Sequence, residues 1–306
     1  MQMLITVLEK ALPVFIMLAL GMLCRKRQII SREGIGAMKT FAVNITLPAV
    51  MFSAFATASY SRESLIIPVL IFALCVVMLL LGKALCRMLG VRGRLSPFLA
   101  SGFEAGMLGY ALFALLFPGE SSAAFAIIDL GQVLFVFTLY KALLAGGGGL
   151  KSVVDEAVHA PTIWAIAAGL LVGASGLYRA MESIGAARVV SAAADFVSAP
   201  TSAVILLTIG YDLTPETIRW KKTAKLAGVR FAAAFCALCM ALLFNRFVLD
   251  GMMHTGALML MFILPPPYVL PVFADVEEER ADIDSALSVL TLAGLVIFMV
   301  LIFLFQ

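Results

Sequence analysis

Charge is scarce in this 306-residue chain: Asp, Glu, Lys and Arg together make up 13% of it, against about 25% in a soluble globular domain. That excludes a solvated surface of ordinary size. The net charge of +3 is too small to point to nucleic acid. Histidine is scarcer still, with only His159 and His254. There is no His-Glu-x-x-His and no Gly-x-Ser-x-Gly, and "GGGGLKS" puts leucine where a phosphate-binding loop needs lysine directly after glycine. No enzyme signature is left. The five cysteines are an odd number, all in or beside apolar runs. Cys236 and Cys239 form a C-x-x-C with neither a second pair nor histidines nearby, so they read as two small thiols on one helix face, not as a metal site.

What the chain has instead is apolar length. Hydrophobic residues make up 62% and mean hydropathy is +1.06. Runs of roughly 20 residues recur, each able to cross a hydrocarbon core of about 30 Å. The pattern continues to Gln306, so residues 4–24 are read as a mature first span and not a cleaved leader. The spans are placed at 4–24, 36–57, 64–86, 95–117, 121–144, 160–178, 190–210, 224–247, 252–273 and 285–305. The expected class is an all-α polytopic membrane protein of ten transmembrane helices, without a soluble domain.

Basic residues set the expected orientation. Of 22 Lys and Arg, 16 fall in the loops after spans one, three, five, seven and nine, five fall on the other side, and Arg230 lies inside span eight. Cytoplasmic loops carry the excess, so a multi-pass protein of the cytoplasmic membrane with both termini outside is expected. The segment "AGGGGLKSVVDEAVHAP" divides the chain into residues 1–145, a cytoplasmic linker at 146–159, and 160–306. Five spans in each half force the second half to enter upside down, as in the 5+5 inverted-topology repeats of transporters. Pro48 in span two is echoed by Pro200 in span seven, and spans four and nine both carry helix breakers.

Span nine reads "FILPPPYVLPVF". Pro265, Pro266 and Pro267 remove the donors for the carbonyls of Met261, Phe262 and Ile263. They also push Leu264, Pro265 and Pro266 toward extended backbone, a bridge of about 12 Å at about 3.1 Å per residue. Backbone left unpaired at membrane depth survives only inside protein or beside a wet cavity. Span four, "SGFEAGMLGYALFALLFPG", is its counterpart. Gly102, Gly106 and Gly109 alone would suit close helix packing, but Glu104 is an acid deep in an apolar span. Two broken helices crossing at the midplane would aim half-helix N-termini at one point, a place for an anion. Their loosened carbonyls would hold a cation or water.

Other polar residues keep two readings each. Asp129 in "AIIDLGQVLF", with Gln132 on the same face, is a functional candidate or a helix-packing carboxyl. Asn44, four residues before Pro48, satisfies a freed carbonyl or touches substrate. Ser285, Ser288 and Thr291 share a stripe of span ten suited to interhelical bonding. The acidic run "ADVEEERADID" after span nine reads as a solvated connecting loop or, alternatively, an ion-attracting vestibule.

Through "NITLPAVMF", "GFEAGMLGYALF", "IIDLGQ", "LPPPYVLPVFA" and "SALSVLTLAG" the chain resembles the auxin efflux carrier family, whose fold is similar to that of bile acid:sodium symporters. In span four Glu104 stands where the family has asparagine and Met107 where it has an aromatic; in span five Gln132 replaces asparagine. The resemblance implies secondary transport of a small organic anion, with no cofactor. It also implies a scaffold of spans one, two, six and seven, a mobile bundle of spans three to five and eight to ten, elevator-like movement, and a homodimer. The substrate-binding set it implies is Asn44, Glu104, Ala105, Gly106, Met107, Gly109, Gln132, Pro265, Pro266, Pro267, Tyr268, Ser285 and Ser288. Glu104, with Asp129, is expected to carry a coupling proton, since an ionised Glu104 would repel an anion. A sodium-coupled carrier of the same fold and a non-transporting membrane sensor are the alternatives.

Overall fold

The computed structural model describes residues 2–58, 60, 65–144, 160–213, 218–268, 270 and 277–305. The expected linker at 146–159, with Lys151 and His159, lies outside the described residues, as do Pro271 and Asp275. Among the described residues every regular element is helical. This follows from composition, because a helix satisfies its own backbone where no water is available. In chain order they are α1 (Gln2–Lys26), α2 (Arg32–Ala56), α3 (Ile66–Met88), α4 (Ser96–Leu116) and α5 (Ala123–Leu144). The second half holds α6 (Pro161–Ala174), α7 (Leu177–Ser183), α8 (Ala186–Asp212), α9 (Trp220–Phe247), α10 (Thr255–Ile263) and α11 (Glu277–Leu304). Seven of these, α2 to α5, α8, α9 and α11 from Ala281, are long and apolar enough to cross a membrane, and the bent pair α6–α7 makes an eighth.

Local chemistry explains the interruptions. Ser31 caps α2, its Oγ accepting from Gly34 N at 3.0 Å. Pro48 then lacks an N–H and crowds the preceding turn, and the helix widens into a π-turn at Ala42–Thr46 just before it. Its echo, Pro200, lies in a turn that separates Ala186–Ser198 from Thr201–Asp212. The 66° bend between α6 and α7 was not anticipated; it turns on Gly176, whose φ of 74° suits glycine. The acidic run differs from its expected form as well. From Glu277 onward it is the first turns of α11, where carboxylates favour a helix N-terminus. There Glu279 accepts from the N–H groups of Arg94 and Leu95 at 2.6 and 3.1 Å, and Asp282 pairs with Lys222 at 2.7 Å and Arg219 at 3.2 Å.

The helices pack in two sets. α1 lies along the second half of α8, and the second half of α2 lies along α6. Contact between α1 and α8 is backbone-close: a Cβ on Gly210 would sit 2.2 Å from Leu18 O. In the other set α3 packs on α5 and α9, while α10 and α11 pack on α9. α4 is the most enclosed span, 78% buried against 17% for α8.

Candidate functional site

Two helix interruptions meet in the second set. In α4 a short 3-10 turn ends at Ala100, and the chain runs without helix from Ser101 to Glu104 before resuming at Ala105. Gly102 makes the turn with a φ of 69°, and a Cβ there would lie 2.8 Å from Pro267 Cγ. No larger residue fits. After α10, Leu264 is extended (φ −63°, ψ 149°) and Pro265, Pro266 and Pro267 continue without helix, as proline's missing donors require. The two segments are joined by a backbone bond, Glu104 N donating to Pro265 O at 2.9 Å.

The carbonyls freed by the breaks find partners in side chains. Arg230 of α9, only 2% exposed, donates from Nη1 to Gly102 O and from Nη2 to Leu264 O, each at 2.8 Å. Its guanidinium also lies 4.8 Å from the centre of the Phe103 ring. Gln132 Nε2 donates to Phe103 O at 2.9 Å. Arg230 is the residue the sequence reasoning missed. An arginine inside an apolar span marks a functional position by default, but which carbonyls it serves depends on contacts far apart in the chain.

The freed N–H groups converge on one carboxylate. Glu104, 7% exposed, accepts from Met107 N at 3.2 Å through Oε1 and from Tyr268 N at 2.6 Å through Oε2. Beside it Asp129, fully buried, accepts from the Tyr110 hydroxyl at 3.2 Å and from Gln132 Nε2 at 3.3 Å. Because Gln132 Nε2 faces two acceptors, its Oε1 is fixed as an acceptor, and this buried atom has no partner among the described residues.

A cavity of about 880 Å³ opens onto these groups. One wall comes from the interrupted segments with α5 and α11, and includes Glu104, Met107, Asp129, Gln132, Pro267 and Tyr268. The facing wall is from α2, α6 and α8, the other packed set. Arg32, Lys39, Lys141, Asp212 and Asp284 line its far reach at the helix ends, where Lys39 pairs with Asp212. Of the remaining sequence candidates, Gly106 and Ser288 also line the cavity. Tyr268 adds a hydroxyl bonded to Thr291 at 2.7 Å. Ala105 and Gly109 are buried outside the lining, Gly109 against Phe125 and Leu264. Pro265 and Pro266 form the crossing without lining the cavity. Asn44 is exposed in the π-turn of α2 and Ser285 donates to Ala281 O, and neither lines it. Among the described residues no His, Cys, Asp and Glu cluster could hold a metal.

Residues 6–146, which include α2 to α5 and the α4 interruption, match the family described as membrane transport protein. Over that region the chain is similar to the membrane transport protein family, the auxin efflux carriers. The family is one of membrane transporters and not of enzymes. No curated protein matches the chain. The matched region supplies Glu104, Asp129 and Gln132, while Arg230 and the triple proline come from beyond it.

Proposed function

We propose that the protein is a secondary active transporter that moves a small organic anion of carboxylate type across the cytoplasmic membrane, coupled to a proton on Glu104. One observation carries this reading: two broken helices present N–H groups to a single buried carboxylate on the wall of a cavity. Such a point favours a carboxylate, and the side chain seated there can be neutralised by a proton.

The proposed architecture is ten spans in a 5+5 inverted repeat. α1 and the proline-interrupted α10 segment complete the count, and the interruptions lie at the membrane midplane. The two packed sets correspond to a scaffold of spans one, two, six and seven and a moving bundle of the rest, with the cavity between them. That arrangement suits elevator-like alternating access in a homodimer. The charged far reach of the cavity lies at helix ends that the Lys and Arg distribution assigns to the cytoplasm, so this is an inward-facing state with both termini outside.

Sodium coupling is the less favoured alternative. The carbonyls of Gly102 and Leu264, which would otherwise be available to a cation, accept from Arg230. Counterflow in proteoliposomes with malate, malonate, other dicarboxylates, amino acids and indole acids tests the proposal. Counterflow should survive replacement of sodium by choline. Glu104→Gln should lose the pH dependence of transport while still binding substrate. Absence of counterflow for every acid would favour a sensor, and unchanged pH dependence in Glu104→Gln would remove the proton role.

A further inference from the structure

Resting on the proposed transport reading, we infer that Glu104 is a tethered stand-in for the substrate's carboxylate, which must displace it to bind. Its two oxygens hold the Met107 and Tyr268 N–H groups, one from each interrupted segment. Those are the donors a substrate carboxylate would need, and Glu104 already satisfies both. An ionised Glu104 therefore competes with the substrate for the same two bonds and repels it as well. A proton taken from cavity water onto the Glu104 carboxylate removes both obstacles, because a neutral carboxyl accepts more weakly and carries a donor of its own. The substrate carboxylate then takes over the two N–H groups, so a proton and an anion enter together with no net charge added.

A second observation points the same way. Gln132 Oε1 is buried on the cavity wall with no partner among the described residues, and Gln132 as a whole is only 5% exposed. A buried acceptor left without a hydrogen bond is unfavourable. Ionised Glu104 has no hydrogen to offer it, whereas a displaced, protonated Glu104 has one. The vacant acceptor is where the displaced hydroxyl is expected to donate.

Several other ionisable groups bear on this exchange. Asp129 of α5 and the Tyr268 hydroxyl face Glu104 inside the cavity, and Arg230 of α9 holds the crossing behind it. Arg32 and Lys39 of α2, Lys141 of α5, Asp212 of α8 and Asp284 of α11 lie farther out along the cavity. Only Glu104 sits on the paired N–H groups, so its removal and not theirs should free them.

The test uses acetate, the smallest carboxylate probe, with chloride as the control anion, on the full-length protein in detergent. Thermal unfolding and hydrogen exchange over residues 105–110 are the readouts. At pH 8 acetate should stabilise Glu104→Ala and slow exchange over this segment, while leaving wild type unaffected. Wild type should gain acetate affinity as pH falls toward 6, by up to about tenfold per pH unit, and Glu104→Ala should show no such slope. Acetate that fails to protect Glu104→Ala, or protects wild type equally at pH 8 and pH 6, overturns the inference. The wild-type pH series stands by itself should Glu104→Ala not fold. The outcomes separate from those of the transport proposal. Glu104→Gln counterflow without pH dependence, combined with no acetate binding in Glu104→Ala, keeps the proton role and rejects displacement. Acetate protection alongside unchanged counterflow does the reverse.

Discussion

Replacing Arg230 with methionine should weaken the crossing more than any other single change there. Methionine keeps much of the apolar stem and removes the guanidinium. Two bonds of 2.8 Å to Gly102 O and Leu264 O are lost, each worth about 1.5–3 kcal/mol because the donor is charged. The carbonyls left behind lie where Arg230 is 2% exposed, with little access to water. Relief of the arginine's own desolvation offsets part of this. Two orphaned neutral carbonyls at about 1–3 kcal/mol each, less that relief, leave a net loss of about 2–4 kcal/mol. The protein's own thiols can report it: Cys75 and Cys86 are buried, so once exposed Cys236 and the partly exposed Cys239 are blocked, a fluorogenic thiol reagent follows unfolding. Arg230→Lys should fall between the two, since one ammonium cannot reproduce a planar fork. Arg230→Met with wild-type thermal stability would refute the reasoning, because it would mean that the freed carbonyls are satisfied without the guanidinium.

Three further outcomes are expected. Gly109→Val should abolish transport and cost about 1–3 kcal/mol of stability by overpacking, because a Cβ there would lie 2.6 Å from Phe125 Cζ and 2.9 Å from Leu264 Cδ1; uptake and thermal unfolding check it. Gly210→Leu should separate α1 from α8, since its Cβ would meet Leu18 O at 2.2 Å, lowering thermal stability by a similar amount and leaving the pH dependence of any residual transport intact. Asn245→Ala should cost about 1–3 kcal/mol, because buried Asn245 both donates to Met253 O at 3.0 Å and accepts from Met253 N at 2.9 Å.

What the sequence revealed and what it concealed divide along a physical line. The interruptions were legible because their causes are local: a proline lacks its N–H in any context, and a glycine beside a membrane-embedded acid is unusual wherever it occurs. Glu104 stood out for the same reason. The role of Arg230 was hidden because its partners lie 128 and 34 residues away in the chain, and only the crossing brings them to one guanidinium. The 66° bend after α6 was hidden by composition, since apolar residues continue through "GASGLY" and only the conformation of Gly176 marks the turn. Charge usually means solvent, so the acidic run reads as a loop or an ion-attracting vestibule. The same carboxylates also suit a helix N-terminus, and two of them serve there as partners for the α3–α4 connection and the start of α9. Asn44, which keeps its two readings, is exposed in the π-turn of α2 and is not among the residues lining the cavity.

A carboxylate and a proton are expected to move together through the site holding Glu104. Proteoliposomes loaded with a pH-sensitive dye, given an inward gradient of each candidate acid salt at neutral pH, measure this directly. The prediction is internal acidification with at least one carboxylate for wild type, unaffected by sodium, and none for Glu104→Gln despite continued exchange of that carboxylate. Equal acidification by the two proteins, or carboxylate uptake by wild type with no proton movement, would contradict it.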